Sequence, residues 1–213
     1  VGDADTRFQE DALRILRGLR FASKLGFAIE PETAAAMRRQ VHRLDCIAAE
    51  RIREELTGLL CGRYVQRTLM AYADLITSAL PELAPMQGCQ QQNPHHLYDV
   101  WEHTVRAVGQ VPAEPVLRWA MLLHDSGKPA CKTVDEQGIG HFRGHPKQSR
   151  ALAATLLPRL RFSKQDTERI LLLVEQHDRP LGDSEKLVRR SLARLGEARF
   201  RDLLMIKKGD AVG

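Results

Sequence analysis

Apolar residues recur at helical spacing along almost the whole chain. From Phe8 they fall at Leu13, Leu16, Leu19, Ala22 and Leu25, three apart on a slowly turning stripe, until Gly26 closes the run. Pro31 stands where a first helical turn favours proline and predicts a helix through Val41. The period returns over 48–60 with Ile52, Leu56, Leu59 and Leu60, stopping at Gly62, and again over 64–80, ended by Pro81. Residues 81–94, PELAPMQGCQQQNP, are rich in Pro, Gly and Gln and mark a boundary between regions 1–82 and 83–213. Beyond it, helices are predicted over 97–110, 114–124, 146–160, 165–176, 185–195 and 197–208. The stretch 126–144 fits a short hairpin, 132–134 against 139–142, turning over Asp135–Gly138. No long alternating strand pattern appears. The expected fold is all-α, a helical neck followed by a second helical bundle, with one short β-hairpin.

Composition narrows the class without naming a function. Of 213 residues, 43% are hydrophobic and 28% charged, which suits a globular protein long enough for one large or two small domains. A net charge of +5 permits a polyanionic partner without demanding one. Apolar runs such as Ile170 to Val174 are far too short to span a bilayer. Cys46, Cys61, Cys89 and Cys131 are scattered, with no metal-type or redox-type pairing, and suit a reducing cytoplasm. The chain opens VGDADTRFQED with no initiator Met and no secretory-type leader, and closes on DAVG straight after a helical pattern. It reads as a piece of a longer protein.

The segment LLHDSGKP, 122–129, ends an apolar helix on His124 and Asp125 and breaks at Gly127. Neighbouring helical side chains diverge by about 100°, but both can reach a small object just beyond the helix end. Taken alone, the pair is also compatible with a solvated helix terminus. Five of the eight histidines lie between His103 and His177. His103 sits inside LYDVWEHTV, His145 opens a helix after GHFRGHP, His177 closes ILLLVEQHD, and Asp210 follows LLMIKK. Imidazole nitrogens with carboxylate oxygens suit Mn, Fe, Co, Ni or Zn at hydrolytic sites. The other reading is a structural histidine cluster satisfied by hydrogen bonds.

His103, His124, Asp125 and Asp210 resemble the H…HD…D signature of HD-domain metal-dependent phosphohydrolases. The resemblance places His145 and His177 as added ligands for a second metal. Asp178 is a substitute for Asp210 on other grounds, since the chain ends three residues after Asp210 and its last turn can fray. The resemblance implies hydrolysis of a phosphoester by a metal-generated hydroxide, with Asp125 catalytic and Lys128 a point charge near the phosphate.

The stretch TRFQEDALRILRGLRFASKLGF carries EDxxR as Glu10, Asp11, Ala12, Leu13 and Arg14. On a helix Asp11 and Arg14 would be i, i+3 neighbours, and Glu10 and Arg14 could form an ordinary i, i+4 pair on a solvated face. With ERIREEL, PELAPMQGCQQQNPHHLYDVWEHT and LLHDSGKP following in order, the chain resembles bacterial class II CCA-adding tRNA nucleotidyltransferases and poly(A) polymerases with a fused HD domain. The resemblance implies nucleotide contacts for Glu10, Asp11, Arg14 and Arg17. Asp11 and Arg14 would act as a rigid template that pairs with cytosine or adenine, because carboxylate accepts from exocyclic amines and guanidinium donates to ring acceptors. Glu50, Arg51, Arg53 and Glu54 match the motif that braces this template helix.

The family's transferase reaction needs a head with metal-binding carboxylates beside a Gly-Ser turn, and no such turn followed by Asp-x-Asp occurs in these 213 residues. The expected function is therefore the neck and HD portion of such an enzyme, cytoplasmic, with tRNA, CTP and ATP as partners. Expected cofactors are divalent metals: Mg or Mn for transfer, and Mn, Ni, Co, Fe or Zn in the HD site. Two alternatives are a free-standing HD nucleotide phosphohydrolase and a non-catalytic tRNA-binding module. The latter would use basic pairs such as Arg38–Arg39 and Arg189–Arg190.

Overall fold

A computed structural model describes residues 2–92, 98–181 and 184–212. Among these, α1 (Ala4–Glu10), α2 (Leu13–Leu25), α3 (Pro31–Gln40), α4 (Ala49–Leu60), α5 (Val65–Ala71) and α6 (Ala73–Ala79) form the first half. Then come α7 (Val100–Gln110), α8 (Pro115–Leu123), α9 (Lys128–Cys131), α10 (His145–Arg159), α11 (Lys164–Gln176), α12 (Glu185–Leu195) and α13 (Glu197–Asp210). The one hairpin pairs β1 (Thr133–Val134) with β2 (Gly140–His141), antiparallel, in the predicted place. The all-α expectation holds. Among the described residues no helix is long and apolar enough to cross a membrane.

Capping chemistry sets most boundaries. Glu30 accepts from the backbone N–H groups of Glu32 and Thr33 ahead of Pro31, and Gly26 closes α2 at φ 75°, a region favourable only to glycine. Asp99 accepts from the Glu102 N–H at 2.8 Å, so α7 starts at Val100; the predicted start, Leu97, lies outside the described residues. Two predicted helices are broken. The 64–80 helix divides at Tyr72, whose φ of −128° lies outside the helical region. The first helix stops at Asp11, where φ is −151°. There Asp11 Oδ1 accepts from the Leu13 N–H at 3.1 Å, a side-chain cap that competes with the continuous helix.

α8 lies at the centre. Residues Val116 through Leu123 are all buried, the charged Arg118 with them, as expected of a central and mostly apolar helix. It packs against α4, α7, α11 and α13, while α2 packs on α4 and α5 on α7. One apolar cluster therefore runs from Phe8 to Ile206 across the 82/83 boundary. Gly209 lies against the same core: a Cβ there would fall 2.8 Å from Val111 and 2.9 Å from Met121. Its lack of a side chain lets the end of α13, with Asp210, close on α7 and α8.

Candidate metal centre and neck contacts

Six side chains separated by up to 107 residues converge around Asp125. His103 comes from the buried face of α7, and His124 caps the C-terminus of α8. Asp125 follows in the tight turn to α9, His145 opens α10, His177 caps α11, and Asp210 ends α13. Gly127 makes the turn possible: a Cβ there would lie 2.5 Å from the Ser149 nitrogen and 2.7 Å from the His145 oxygen.

The two oxygens of Asp125 face different groups. Oδ2 lies 3.5 Å from His103 Nε2, 3.3 Å from His124 Nε2 and 2.7 Å from Lys128 Nζ. Oδ1 lies 3.2 Å from His145 Nε2 and 3.6 Å from His177 Nε2. Asp210 Oδ1 completes the first set at 3.0 Å from His103 Nε2 and 3.1 Å from His124 Nε2. The groups His103–His124–Asp125–Asp210 and Asp125–His145–His177 each offer ligand atoms within 4.8 Å of one another. All six sequence candidates meet here, and Asp125 belongs to both groups. Asp178 stands on the wall of the adjoining cavity, not among the converging atoms.

The protonation pattern shows what the cluster lacks. Nδ1 of His124 faces Met121 O at 2.6 Å, Nδ1 of His145 faces Phe142 O at 2.9 Å, and Nδ1 of His177 faces Val174 O at 2.7 Å. A carbonyl only accepts, so each Nδ1 carries the hydrogen and each neutral ring turns its Nε2 lone pair inward. His145 Nε2 and His177 Nε2 then meet 3.2 Å apart, two lone pairs facing each other unless a positive charge joins them. Both Asp125 oxygens are sealed from solvent: Oδ2 is paired with the Lys128 ammonium, while Oδ1 faces the imidazole nitrogens of His145 and His177. Buried acceptors in this array are costly unless protonated or metal-bound. The donor set and its second shell of backbone carbonyls fit a divalent metal.

Burial opposes charge on His124, but the Asp125 and Asp210 carboxylates outweigh it and push its pKa up to about 10. Burial also works against an ionised Asp125, yet His124 and Lys128 hold its pKa well below the carboxylate range. Asp210 is likewise lowered against its burial, by His124 and His103. Without metal, a proton on His124 supplies the missing positive charge. Lys128 is buried and donates to Gln91 Oε1 at 2.9 Å besides contacting Asp125. Gln91 lay unnoticed in the GCQQQNP run; only its burial, at 1% exposure, and its lysine contact reveal it. A cavity of about 330 Å³ opens over Asp125, Lys128 and Asp210, lined also by Arg143 and by Phe142, whose ring centroid lies 5.5 Å from Lys128 Nζ.

The neck residues are arranged differently from the sequence expectation. Because the helix breaks at Asp11, Asp11 and Arg14 do not share a continuous helical face. Asp11 Oδ2 is 3.4 Å from Arg51, whereas Arg14 donates to Glu10 Oε2 at 2.7 Å and to Arg7 O at 2.9 Å. The i, i+4 pair Glu10–Arg14 is formed, and a preformed Asp11–Arg14 edge is not. Arg17 and Arg20 both reach Glu55, at 3.3 and 2.6 Å. Arg51 and Glu55 thus brace residues 11–20. Arg53 instead donates to Arg161 O, Glu50 pairs loosely with Arg161, and Glu54 faces Arg53. Glu55 escaped the motif reading because its partners lie 35 and 38 residues away.

Two family models match: the HD domain over residues 95–206, and one described as "Probable RNA and SrmB- binding site of polymerase A" over residues 26–87. The chain is 35% identical over 220 aligned positions to the A-adding tRNA nucleotidyltransferase of Deinococcus radiodurans, covering 97% of this chain and 50% of that protein. It is 37% identical over 199 positions to the CC-adding tRNA nucleotidyltransferase of Thermus thermophilus, covering 87% and 45%. The chain therefore spans about half the length of these curated relatives. The crystal structure of the Bacillus stearothermophilus CCA-adding enzyme in complex with CTP superposes with a TM-score of 0.67 over 98% of this chain and 44% of that one. At 24% identity that likeness is one of fold.

Proposed function

Because the chain belongs to the HD-domain family and matches the C-terminal neck-plus-HD portion of CCA-adding tRNA nucleotidyltransferases, we propose that it combines two roles of such an enzyme. Residues 1–82 select the incoming CTP or ATP at the tRNA end, and residues 83–213 hydrolyse a phosphoester with divalent metal in the cytoplasm. The observation that carries the hydrolase reading is Asp125, standing between two histidine groups with one oxygen toward each.

In this reading His103, His124, Asp125 and Asp210 hold one ion, and Asp125, His145 and His177 hold a second. Mn, Ni, Co, Fe and Zn all suit the mixed nitrogen and oxygen set. When bound, the metal supplies a hydroxide at neutral pH and screens the phosphoryl oxygens. The chain's own residues do the positioning. The Met121, Phe142 and Val174 carbonyls fix three imidazoles as Nδ1–H tautomers, leaving Nε2 free to ligate. Lys128, anchored by Gln91, orients Asp125 and places a fixed positive charge in the cavity wall for a phosphoryl oxygen. The half-buried Phe142 ring offers an apolar surface beside it. A 2′,3′-cyclic phosphate or 2′-nucleotide at a damaged tRNA end is the substrate class this reading favours.

In the neck, Asp11 meets the exocyclic amine of the incoming base, and Arg14 leaves Glu10 to present its guanidinium to the ring acceptors. Glu10 thereby serves as the resting partner of Arg14, and Arg17 faces the triphosphate, for which Mg or Mn is the counter-ion.

The test is metal analysis of the purified chain alongside hydrolysis of 2′,3′-cyclic AMP in Mn, Ni, Co and Zn. Bound metal with turnover that disappears in Asp125→Asn is the expected result. Failure to take up any of these metals would sink the metal centre, and uptake without turnover would sink the hydrolase.

A further inference from the structure

Most arginines of this protein are matched by acids: Arg38 by Asp74, Arg39 by Asp5 and Glu32, Arg159 by Glu82, Arg189 by Glu185. One group differs. Arg179, Arg190 and Arg194 line a single surface pocket of about 460 Å³ at the junction of α11 and α12, together with Leu181, Leu187 and Ser191. Arg179 Nη1 and Arg194 Nη2 both donate to the neutral Gln176 Oε1, at 3.5 and 3.3 Å. Among the described residues no carboxylate lies within ion-pair distance of any of the three. One amide oxygen thus draws two guanidiniums to the same point without neutralising either. All three are exposed, so their mutual repulsion is weak in water, and an anion bound among them would turn it into attraction.

The geometry points to a phosphate site: we infer that this pocket binds a backbone phosphate of an RNA strand whose terminal phosphoester enters the metal cavity. Guanidinium forks match phosphate oxygens bidentately. No aromatic side chain lines the pocket, so it offers phosphate contacts and no base stacking, as expected of a sequence-independent backbone site. Its position makes the second clause possible. Gln176 immediately precedes His177, and the Cα atoms of Arg179 and His177 can be at most about 7.6 Å apart across two peptide units. A strand held here has its neighbouring phosphates beside the cavity over Asp125 and Lys128. The placement of the strand's end rests on the hydrolase reading; the phosphate site itself does not.

The test is fluorescence anisotropy of the whole chain with a labelled twelve-nucleotide RNA ending in a 2′,3′-cyclic phosphate, measured across a salt series. Arg179→Gln and Arg190→Gln should each weaken binding about fivefold at 0.1 M salt and lower the log–log salt slope by about 0.7, the single-strand value per phosphate contact. Arg189→Gln, one residue away but paired with Glu185, should leave both unchanged. Equal losses in Arg189→Gln and Arg190→Gln would mean diffuse charge and overturn the site. Competition by inorganic phosphate or CMP as effective as by the oligonucleotide would overturn the strand reading in favour of a small-anion site. Competition by polyglutamate as effective as by RNA would overturn it in favour of an acidic protein. In Mn, hydrolysis of bis(p-nitrophenyl) phosphate should be the same in Arg190→Gln and wild type, while KM for the RNA rises. If neither substrate turns over but the Arg190→Gln binding loss persists, the hydrolase reading fails and the phosphate site stands.

Discussion

The indole N–H of Trp119, at the centre of α8, donates to the hydroxyl of Thr57 on α4 at 2.9 Å. Trp119 is fully buried, and its ring also meets Phe162 edge-on at 5.2 Å. The bond joins the neck to the helix that delivers His124 and Asp125, so neck and metal centre share one core. Thr57→Val keeps the shape and removes the acceptor, leaving a buried donor unsatisfied at a cost of about 1–3 kcal/mol. For a chain of this size each kcal/mol lowers Tm by about 2–4 °C. Calorimetry should show one cooperative transition, displaced as a whole. Two separately moving transitions would contradict the shared core.

Metal stoichiometry should divide along the two faces of Asp125. The His145→Ala/His177→Ala double variant should lose one equivalent and keep the ion held by His103, His124, Asp125 and Asp210. Asp125→Asn should lose both, because its oxygens face both groups. Equilibrium dialysis with elemental analysis reads this directly, and equal stoichiometry in the two variants would refute the bridging role.

Metal affinity should keep rising with pH above neutrality. The folded pKa of His124, about 10, lies above its ordinary 6.5 because Asp125 and Asp210 overcome burial. That interaction stabilises the metal-free protein fully below about pH 6.5 and is lost as pH climbs toward 10. An entering metal must displace this proton, so binding at pH 8 should release it. Calorimetry in buffers of different ionisation enthalpy detects the release. Heats independent of buffer would contradict it.

Gly127→Ala should destabilise the chain by about 1–3 kcal/mol, the range for overpacking a tight interior. The obstacles are the Ser149 nitrogen and the His145 oxygen, backbone atoms that cannot swing aside. Because His145 is itself displaced, metal affinity should fall with stability. Denaturant unfolding and metal titration on the same variant check both.

The 213-residue chain by itself should incorporate neither CTP nor ATP into tRNA lacking its CCA end, since it carries no Gly-Ser turn with a following Asp-x-Asp. Radiolabelled incorporation by the pure chain would contradict the division of labour proposed for neck and head.

Sequence alone determined what depends on local chemistry. The three-apart apolar stripe before Gly26, Pro31 at a helix start, and the Asp135–Gly138 turn fixed helices and hairpin near their observed bounds, because capping and periodicity act within a few residues. The order of His103, His124, Asp125, His145, His177 and Asp210 was legible as a series of ligand types at helix ends. Tertiary structure decided what depends on contacts distant in the chain. It turned one Asp125 oxygen to each histidine group, and it brought Gln91 to Lys128 across 37 residues. It set Glu55 between Arg17 and Arg20 and brought Asp11 to Arg51, 40 residues away. Periodicity says which face of a helix is apolar but not which other helix will cover it. The pairing of α8 with α4, α7, α11 and α13, and with it the metal centre, comes from packing the whole core at once.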